Sequence, residues 1–136
     1  MSAAEIEVED VLHEEPEGDC FGYFKIKEAS GNRLQIVGWA FAEGQAVRAV
    51  EVLAEESVVA TAVPAVPRPD VAELFPQTPA SLVSGFEVEI EADGHGRSEL
   101  AVVAVMENEE RHSLGSLTLG VRPPSGPRSP WGGEGA

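Results

Sequence analysis

Apolar and polar residues alternate with a period of two along most of the chain between residues 20 and 121. The clearest case is FEVEIE, residues 86–91, in which apolar side chains alternate with glutamates. This period is typical of β-strands, because successive side chains point to opposite faces of a sheet. Further segments of this kind, separated by turn sequences such as SGN and ENEE, are FGYFKIKEA, RLQIVGWAFA, VRAVEVLAE, SVVATAV, ELAVVAVME and HSLGSLTLGV.

Short strands at this spacing predict an all-β fold, namely an antiparallel immunoglobulin-like β-sandwich of about seven strands. A small barrel is the competing arrangement. A parallel α/β fold is excluded, because the chain lacks the helical segments that parallel crossovers need. A length of 136 residues allows one domain with one hydrophobic core.

The segment VPRPDVAELFP, residues 66–76, interrupts the alternation. Its prolines lack the N–H group that a strand ladder needs, and Asp70 followed by Glu73 is the pattern of a helix start. We predict one short helical turn over residues 70–75, capped by Asp70. Arg68 has two interpretations: an ion pair that fixes the connection between sheets, or a clamp for an anion or a sugar acid.

Trp39 has two possible placements, because its strand parity is opposite to that of Leu34 and Ile36. If Gly38 marks a bulge that switches faces, Trp39 belongs to the core, which its apolar neighbours favour. If the strand is regular, Trp39 and Tyr23 form an exposed platform on which a sugar ring stacks.

The charge of the chain is strongly negative, at −15, and is concentrated at the start. Repulsion from phosphates disfavours nucleic acid and anionic membrane surfaces as partners. Residues 1–19 hold eight acidic residues and no Lys or Arg, which predicts an acidic disordered arm. Residues 122–136 are rich in Pro and Gly and predict a disordered tail, which leaves residues 20–121 as the sandwich domain.

Catalytic and metal-binding patterns are weak. The histidines, at positions 13, 95 and 112, are not at metal-ligand spacing from one another. Cys20 has no basic neighbour in sequence to activate its thiol, and the chain has no Gly-x-Ser-x-Gly or phosphate-loop motif. We expect no catalytic residue, metal or cofactor.

Three glutamates of the FEVEIE segment, at positions 87, 89 and 91, share one strand face. Paired carboxylates serve glycoside hydrolysis, but the same pattern is ordinary for the solvent face of a sheet. We favour the solvent face, with Lys25 and Lys27 as cross-strand partners. No segment has the roughly 20 apolar residues of a membrane span or the pattern of a secretion signal, so we expect a cytoplasmic protein.

Several of these motifs, in this order, resemble a small β-sandwich module attached to bacterial glycosyltransferases and methyltransferases of surface-polysaccharide biosynthesis. The matching elements are Gly38-Trp39, the hairpin 47–63, Arg68 to Val71, and Gly85-Phe86. The resemblance covers about residues 20–121 and implies a non-catalytic accessory module, with a protein partner such as a glycosyltransferase. The alternative is a carbohydrate-binding β-sandwich that uses an exposed aromatic or polar sheet face. The candidate ligand-binding residues are Arg68, Asp70, Trp39 and Tyr23.

Overall fold

The computed structural model describes residues 5–15, 20–91 and 98–122, which form eight β-strands in two antiparallel sheets. In chain order the elements are β1 (Glu5–His13), β2 (Cys20–Ser30), β3 (Arg33–Ala42), β4 (Val47–Ala54), β5 (Ser57–Ala62), the helix α1 (Pro69–Leu74), a 3-10 turn (Pro79–Val83), β6 (Gly85–Glu91), β7 (Ser98–Met106) and β8 (Arg111–Arg122). The all-β sandwich prediction is confirmed.

The strands divide unequally between the sheets. The large sheet has the order β1-β8-β7-β4-β5, and the small sheet has the order β2-β3-β6. All neighbours pair antiparallel. The core lies between the sheets, with Phe24, Leu34 and Ile36 of the small sheet packing in one cluster with Val52 and Val102 of the large sheet.

The prediction that residues 1–19 form a disordered arm is wrong for residues 5–13, which are strand β1 and pair with β8. Ile6 lies in the core, with Val8 and Val11 packed against it. A register shift between Val8 and Asp10 brings apolar residues three apart onto the core side. Burial of these side chains and the ladder to β8 outweigh the repulsion among the acidic residues. The described fold therefore begins before residue 20 and contains one strand more than the seven predicted.

The other end of the domain extends one residue past the predicted boundary, because β8 includes Arg122. Residues 1–4, 16–19 and 123–136 lie outside the described residues, and with them the rest of the predicted arm and of the predicted tail.

The predicted bulge at Gly38 is absent from the described pairing of β3, whose register runs unbroken past this glycine on both sides. A side chain at Gly38 would come within 2.1 Å of the Tyr23 carbonyl oxygen and 2.9 Å of the Phe86 ring. The glycine therefore makes room on the core side without changing the strand parity. Trp39 keeps the outward parity, so its placement in the sandwich core is wrong.

The connection from β5 to β6 contains α1 and the 3-10 turn and packs on the outer side of the small sheet. The helix occupies Pro69–Leu74, close to the predicted 70–75, with the buried Val71 as its anchor. The predicted capping role of Asp70 is wrong, because the helix begins one residue earlier, at Pro69, and the N-cap position falls on Arg68. Backbone hydrogen bonds between Val66 and Gly85 attach the connection to β6.

Candidate functional site

The outer face of the small sheet brings together all four residues that the sequence singled out. Tyr23 of β2 lies directly opposite Trp39 of β3, and Trp39 lies opposite Gly85 of β6. Arg68 comes from the connection and lies above Gly85, since a Cβ atom at Gly85 would be 2.9 Å from the Arg68 Cγ. Asp70 binds Arg68. The four residues therefore lie on one face of the small sheet.

An aromatic cluster outside the core supports Trp39 from one side. Its members are Phe21, Trp39, Phe41 and Phe75, with neighbouring ring centroids 4.9–6.1 Å apart. Phe75 follows α1 directly and contacts Phe21, Trp39 and Phe41. Together with the buried Val71, it attaches the connection to the end of the small sheet where these rings lie. Packing of this kind fixes the indole of Trp39 while leaving it only half-buried.

Tyr23 is 43% exposed and stacks on His13, with ring centroids 4.5 Å apart and ring planes 15° from parallel. The Nε2 atom of His13 lies 2.8 Å from the Phe24 carbonyl oxygen and donates a hydrogen bond to it. The end of β1 therefore meets the β2 edge of the small sheet and orients the Tyr23 ring.

A cavity of about 370 Å³ opens at this edge, and we call it the aromatic cavity. Its lining includes His13, Glu14, Glu15, Phe21, Tyr23 and Trp39. The volume is in the range of small-molecule sites, and the lining combines aromatic surface with carboxylate oxygens that accept hydrogen bonds.

Cys20 also lines the aromatic cavity, but only 3% of it is exposed. Burial raises the pKa of the Cys20 thiol to about 11. The thiol is therefore neutral near pH 7 and lacks the thiolate character that a nucleophile needs. Cys20 is therefore a buried apolar part of the cavity wall.

A second cavity, of about 350 Å³, lies farther along the same face, and we call it the cationic cavity. Its lining includes Lys25, Lys27, Val37, Arg68, Gly85 and Glu87. Lys25, Val37 and Glu87 form the next row of outward residues after Tyr23, Trp39 and Gly85. The two cavities therefore occupy successive stretches of one surface.

Arg68 forms the ion pair that one of its two interpretations predicted. Its Nε and Nη2 atoms donate to the two carboxylate oxygens of Asp70 at 2.9 and 2.8 Å. The hydrogen bond from Arg68 lowers the pKa of the Asp70 carboxyl to about 2, and the same hydrogen bond raises the pKa of Arg68. The Nη1 atom points to the Gly38 carbonyl oxygen at the long distance of 3.5 Å. The clamp interpretation of Arg68 stays a prediction.

The glutamates of β6 lie on the exposed face, as predicted. Lys27 reaches Glu87 at 2.9 Å, and Arg33 lies 3.3 Å from Glu89 and 3.9 Å from Glu91. Their exposure and their cationic partners are typical of a solvent-facing ion-pair ladder.

Sequence reasoning missed the contributions of His13, Glu14 and Glu15, because the segment before β2 was expected to be disordered. It also treated Lys25 and Lys27 only as partners of the glutamates. Their strand parity is the same as that of Tyr23, and this signal places them on the face of the aromatic pair.

Comparisons with protein-family models, with curated proteins and with solved structures found no match. Within the described ranges, no group of three or more His, Cys, Asp or Glu side chains could hold a metal ion. The helices in the described part of the chain are too short and too polar to cross a membrane.

Proposed function

We propose that this protein is a carbohydrate-binding β-sandwich and that it binds its ligand on the outer face of the small sheet. The observation that carries the proposal is the cross-strand pair of Tyr23 and Trp39, which stands partly exposed beside the aromatic cavity. Flat aromatic rings present apolar faces with polar tips, and the apolar C–H face of a sugar ring packs against such surfaces.

The surroundings of the pair suit a polyhydroxylated ligand. Glu14 and Glu15 line the aromatic cavity and accept hydrogen bonds from hydroxyl groups, while Phe21 extends the apolar wall. Two supports hold the platform before a ligand arrives: the His13 stack on Tyr23 and the Phe41 and Phe75 contacts to Trp39. Rigid aromatic side chains lose little conformational entropy on binding.

The proposal is for binding without catalysis. Glu14 and Glu15 are exposed, whereas a glycosidase acid works in an environment that keeps its carboxyl protonated. The neutral thiol of Cys20 also favours binding without catalysis. The resemblance to modules of polysaccharide-synthesising enzymes supports a glycan as the ligand, and with it we infer an immunoglobulin-like relationship of the sandwich and a cytoplasmic location.

The test is a titration of the full chain with a panel of neutral and acidic oligosaccharides, followed by calorimetry. Tyr23→Ala removes the ring from an exposed position and should weaken binding about tenfold, the loss expected for an anchoring aromatic residue. Tyr23→Phe keeps the ring and should bind like the wild type. The proposal fails if no saccharide binds, or if Tyr23→Ala binds as tightly as Tyr23→Phe.

A second candidate function is docking to a glycan-modifying enzyme, and an apolar surface on the connection favours it. Exposed large apolar side chains lie along this segment at Val63, Val66, Leu74, Leu82 and Val83. Leu74 is 72% exposed, and exposed apolar groups of this kind mark protein-binding surfaces.

Affinity capture with the full chain as bait tests the docking function. It should recover a glycosyltransferase or methyltransferase of polysaccharide synthesis, and Leu74→Glu should abolish the recovery. Equal recovery by Tyr23→Ala would separate docking from sugar binding, and recovery unaffected by Leu74→Glu would reject this surface.

A further inference from the structure

We propose that the saccharide is acidic, and that the cationic cavity binds a carboxylate carried by a sugar unit next to the one stacked on Tyr23 and Trp39. This inference rests on the proposed function and adds the class of ligand.

The first argument is the distribution of positive charge. The chain has a net charge of −15 and nine Lys and Arg residues. Its two lysines, Lys25 and Lys27, both line the cationic cavity together with Arg68. Among the described residues that line this cavity, Glu87 is the one that is acidic. Positive charge is therefore concentrated at one place in a chain that otherwise repels anions.

The second argument is that this charge is incompletely neutralised. Lys27 pairs with Glu87, and Arg68 pairs with Asp70. Lys25 is exposed and has no ion pair among the described residues. If these charges only kept the surface soluble, Lys25 would not need to line a cavity. A site that binds an anion needs an unpaired positive charge of this kind.

The third argument is the position of the cavity relative to the aromatic pair. Lys25 follows Tyr23 by two residues on the same face of β2, a step of about 7 Å. Arg68 approaches from the opposite side, above Gly85, which lies next to Trp39 across the sheet. If one sugar unit of an oligosaccharide stacks on Tyr23 and Trp39, the next sugar unit would therefore lie between Lys25 and Arg68.

The fourth argument concerns the kind of anion. Arg68 already holds the carboxylate of Asp70 in a two-pronged contact, the geometry in which a guanidinium binds carboxylates. Glu87 lines the cavity, and Asp70 holds the guanidinium of the lining residue Arg68. Because Lys27 and Arg68 are already paired with Glu87 and Asp70, the single charge of Lys25 is left to pair with a ligand, and it matches the single charge of a carboxylate better than the nearly two charges of a phosphate. The geometry points to a uronic acid in place of a phosphorylated sugar.

The experiment uses the full chain and three probes of equal length: an oligogalacturonide, its carboxyl-reduced neutral counterpart, and a 6-phosphorylated neutral oligosaccharide. Calorimetry should show that the oligogalacturonide binds about tenfold more tightly than the neutral probe, a difference of about 1.4 kcal/mol. The advantage should shrink as salt concentration rises, because both lysines are exposed.

The decisive variant is Lys25→Met, which keeps most of the unbranched side chain and removes its charge. It should weaken oligogalacturonide binding about fivefold and leave binding of the neutral probe unchanged. Arg48→Gln is the control, since Arg48 is also an exposed cation but lies on the large sheet, where it pairs with Glu109. This control should change neither affinity.

The outcomes separate this inference from the proposed function. Equal binding of the charged and neutral probes, or preference for the phosphorylated probe, overturns the carboxylate assignment and leaves the stacking platform standing. Equal weakening of both affinities by Lys25→Met also overturns it. Binding of the oligogalacturonide that depends on Lys25 but not on Tyr23 supports the cationic cavity and rejects the platform. Failure of all three probes to bind overturns this inference, whereas the proposed function falls only if the whole saccharide panel also fails to bind.

Discussion

Replacement of Gly85 by alanine should destabilise the protein, because no room exists for a side chain where β6 meets the connection. A Cβ atom there would lie 2.9 Å from the Arg68 Cγ, the Val66 Cβ and the Val66 carbonyl oxygen. Non-bonded heavy atoms normally separate by about 3.5–4.0 Å, so the connection must move by roughly 0.6 Å or more. The same Val66 oxygen accepts a 2.9 Å hydrogen bond from the Gly85 N–H. Overpacking of about 1–3 kcal/mol and the weakening of a bond worth about 1 kcal/mol predict a loss of about 2–4 kcal/mol.

Urea unfolding measures this loss as a lower transition midpoint at an unchanged m-value. Gly44→Ala is the control, because a Cβ at Gly44 meets nothing within 4 Å but the backbone φ is +87°. The control reports the conformational cost of replacing a glycine, about 1 kcal/mol. The displaced connection should also carry Arg68 out of the cationic cavity. A loss for Gly85→Ala no larger than that for Gly44→Ala would refute the argument from close contact.

Three further predictions concern charge, the first strand and a turn. The Arg68 hydrogen bond lowers the pKa of Asp70 from 3.8 to about 2 in the folded protein. The pair therefore stabilises the fold above the unfolded-state pKa, and this contribution disappears as the pH falls from that value through the folded-state pKa. Asp70→Asn should remove this part of the acid dependence of stability, measured by urea unfolding at a series of pH values. An unaltered acid profile would contradict the coupling between this ion pair and stability. Ile6→Ala should cost about 2–3 kcal/mol in the same assay, since Ile6 is 7% exposed in the core, and a cost near zero would mean that β1 adds nothing to the fold. Glu55→Gly should raise the unfolding free energy by about 0.5–1 kcal/mol, because Glu55 has a φ of 59° that glycine adopts without strain; a loss of stability would count against this explanation.

The strands that were predicted correctly are those whose local pattern and tertiary environment agree. In β6, Phe86, Val88 and Ile90 are buried while the glutamates between them are exposed, as a period of two requires. Strand β1 has a similar pattern, but its acidic residues also fit a disordered segment. The deciding factor was the pairing with β8, a long-range contact that local composition does not contain.

The residues of the candidate site were predicted only in part, and their arrangement was not predicted. Tyr23, Trp39, Arg68 and Asp70 were all identified, and the ion pair between the last two follows from their proximity in the chain. The face of Trp39 depended on whether Gly38 was a bulge or a place of close approach. Glycine serves both purposes in strands, and the unbroken register of β3 together with the close approach of the Tyr23 carbonyl and the Phe86 ring decides between them.

The division of the sandwich into unequal sheets explains why the site lies where it does. The small sheet leaves its outer side to be covered by other elements, and the connection with α1 covers one end through Phe75. The end of β1 covers the β2 edge through the His13 contact to Tyr23. Between α1 and the end of β1, Tyr23 and Trp39 remain partly exposed. Lys25, Lys27 and Arg68 lie next to this pair on the same face. Here the end of β1 and Phe75 contact the rings of Tyr23 and Trp39 and leave both partly exposed, and this arrangement supports the proposed saccharide site.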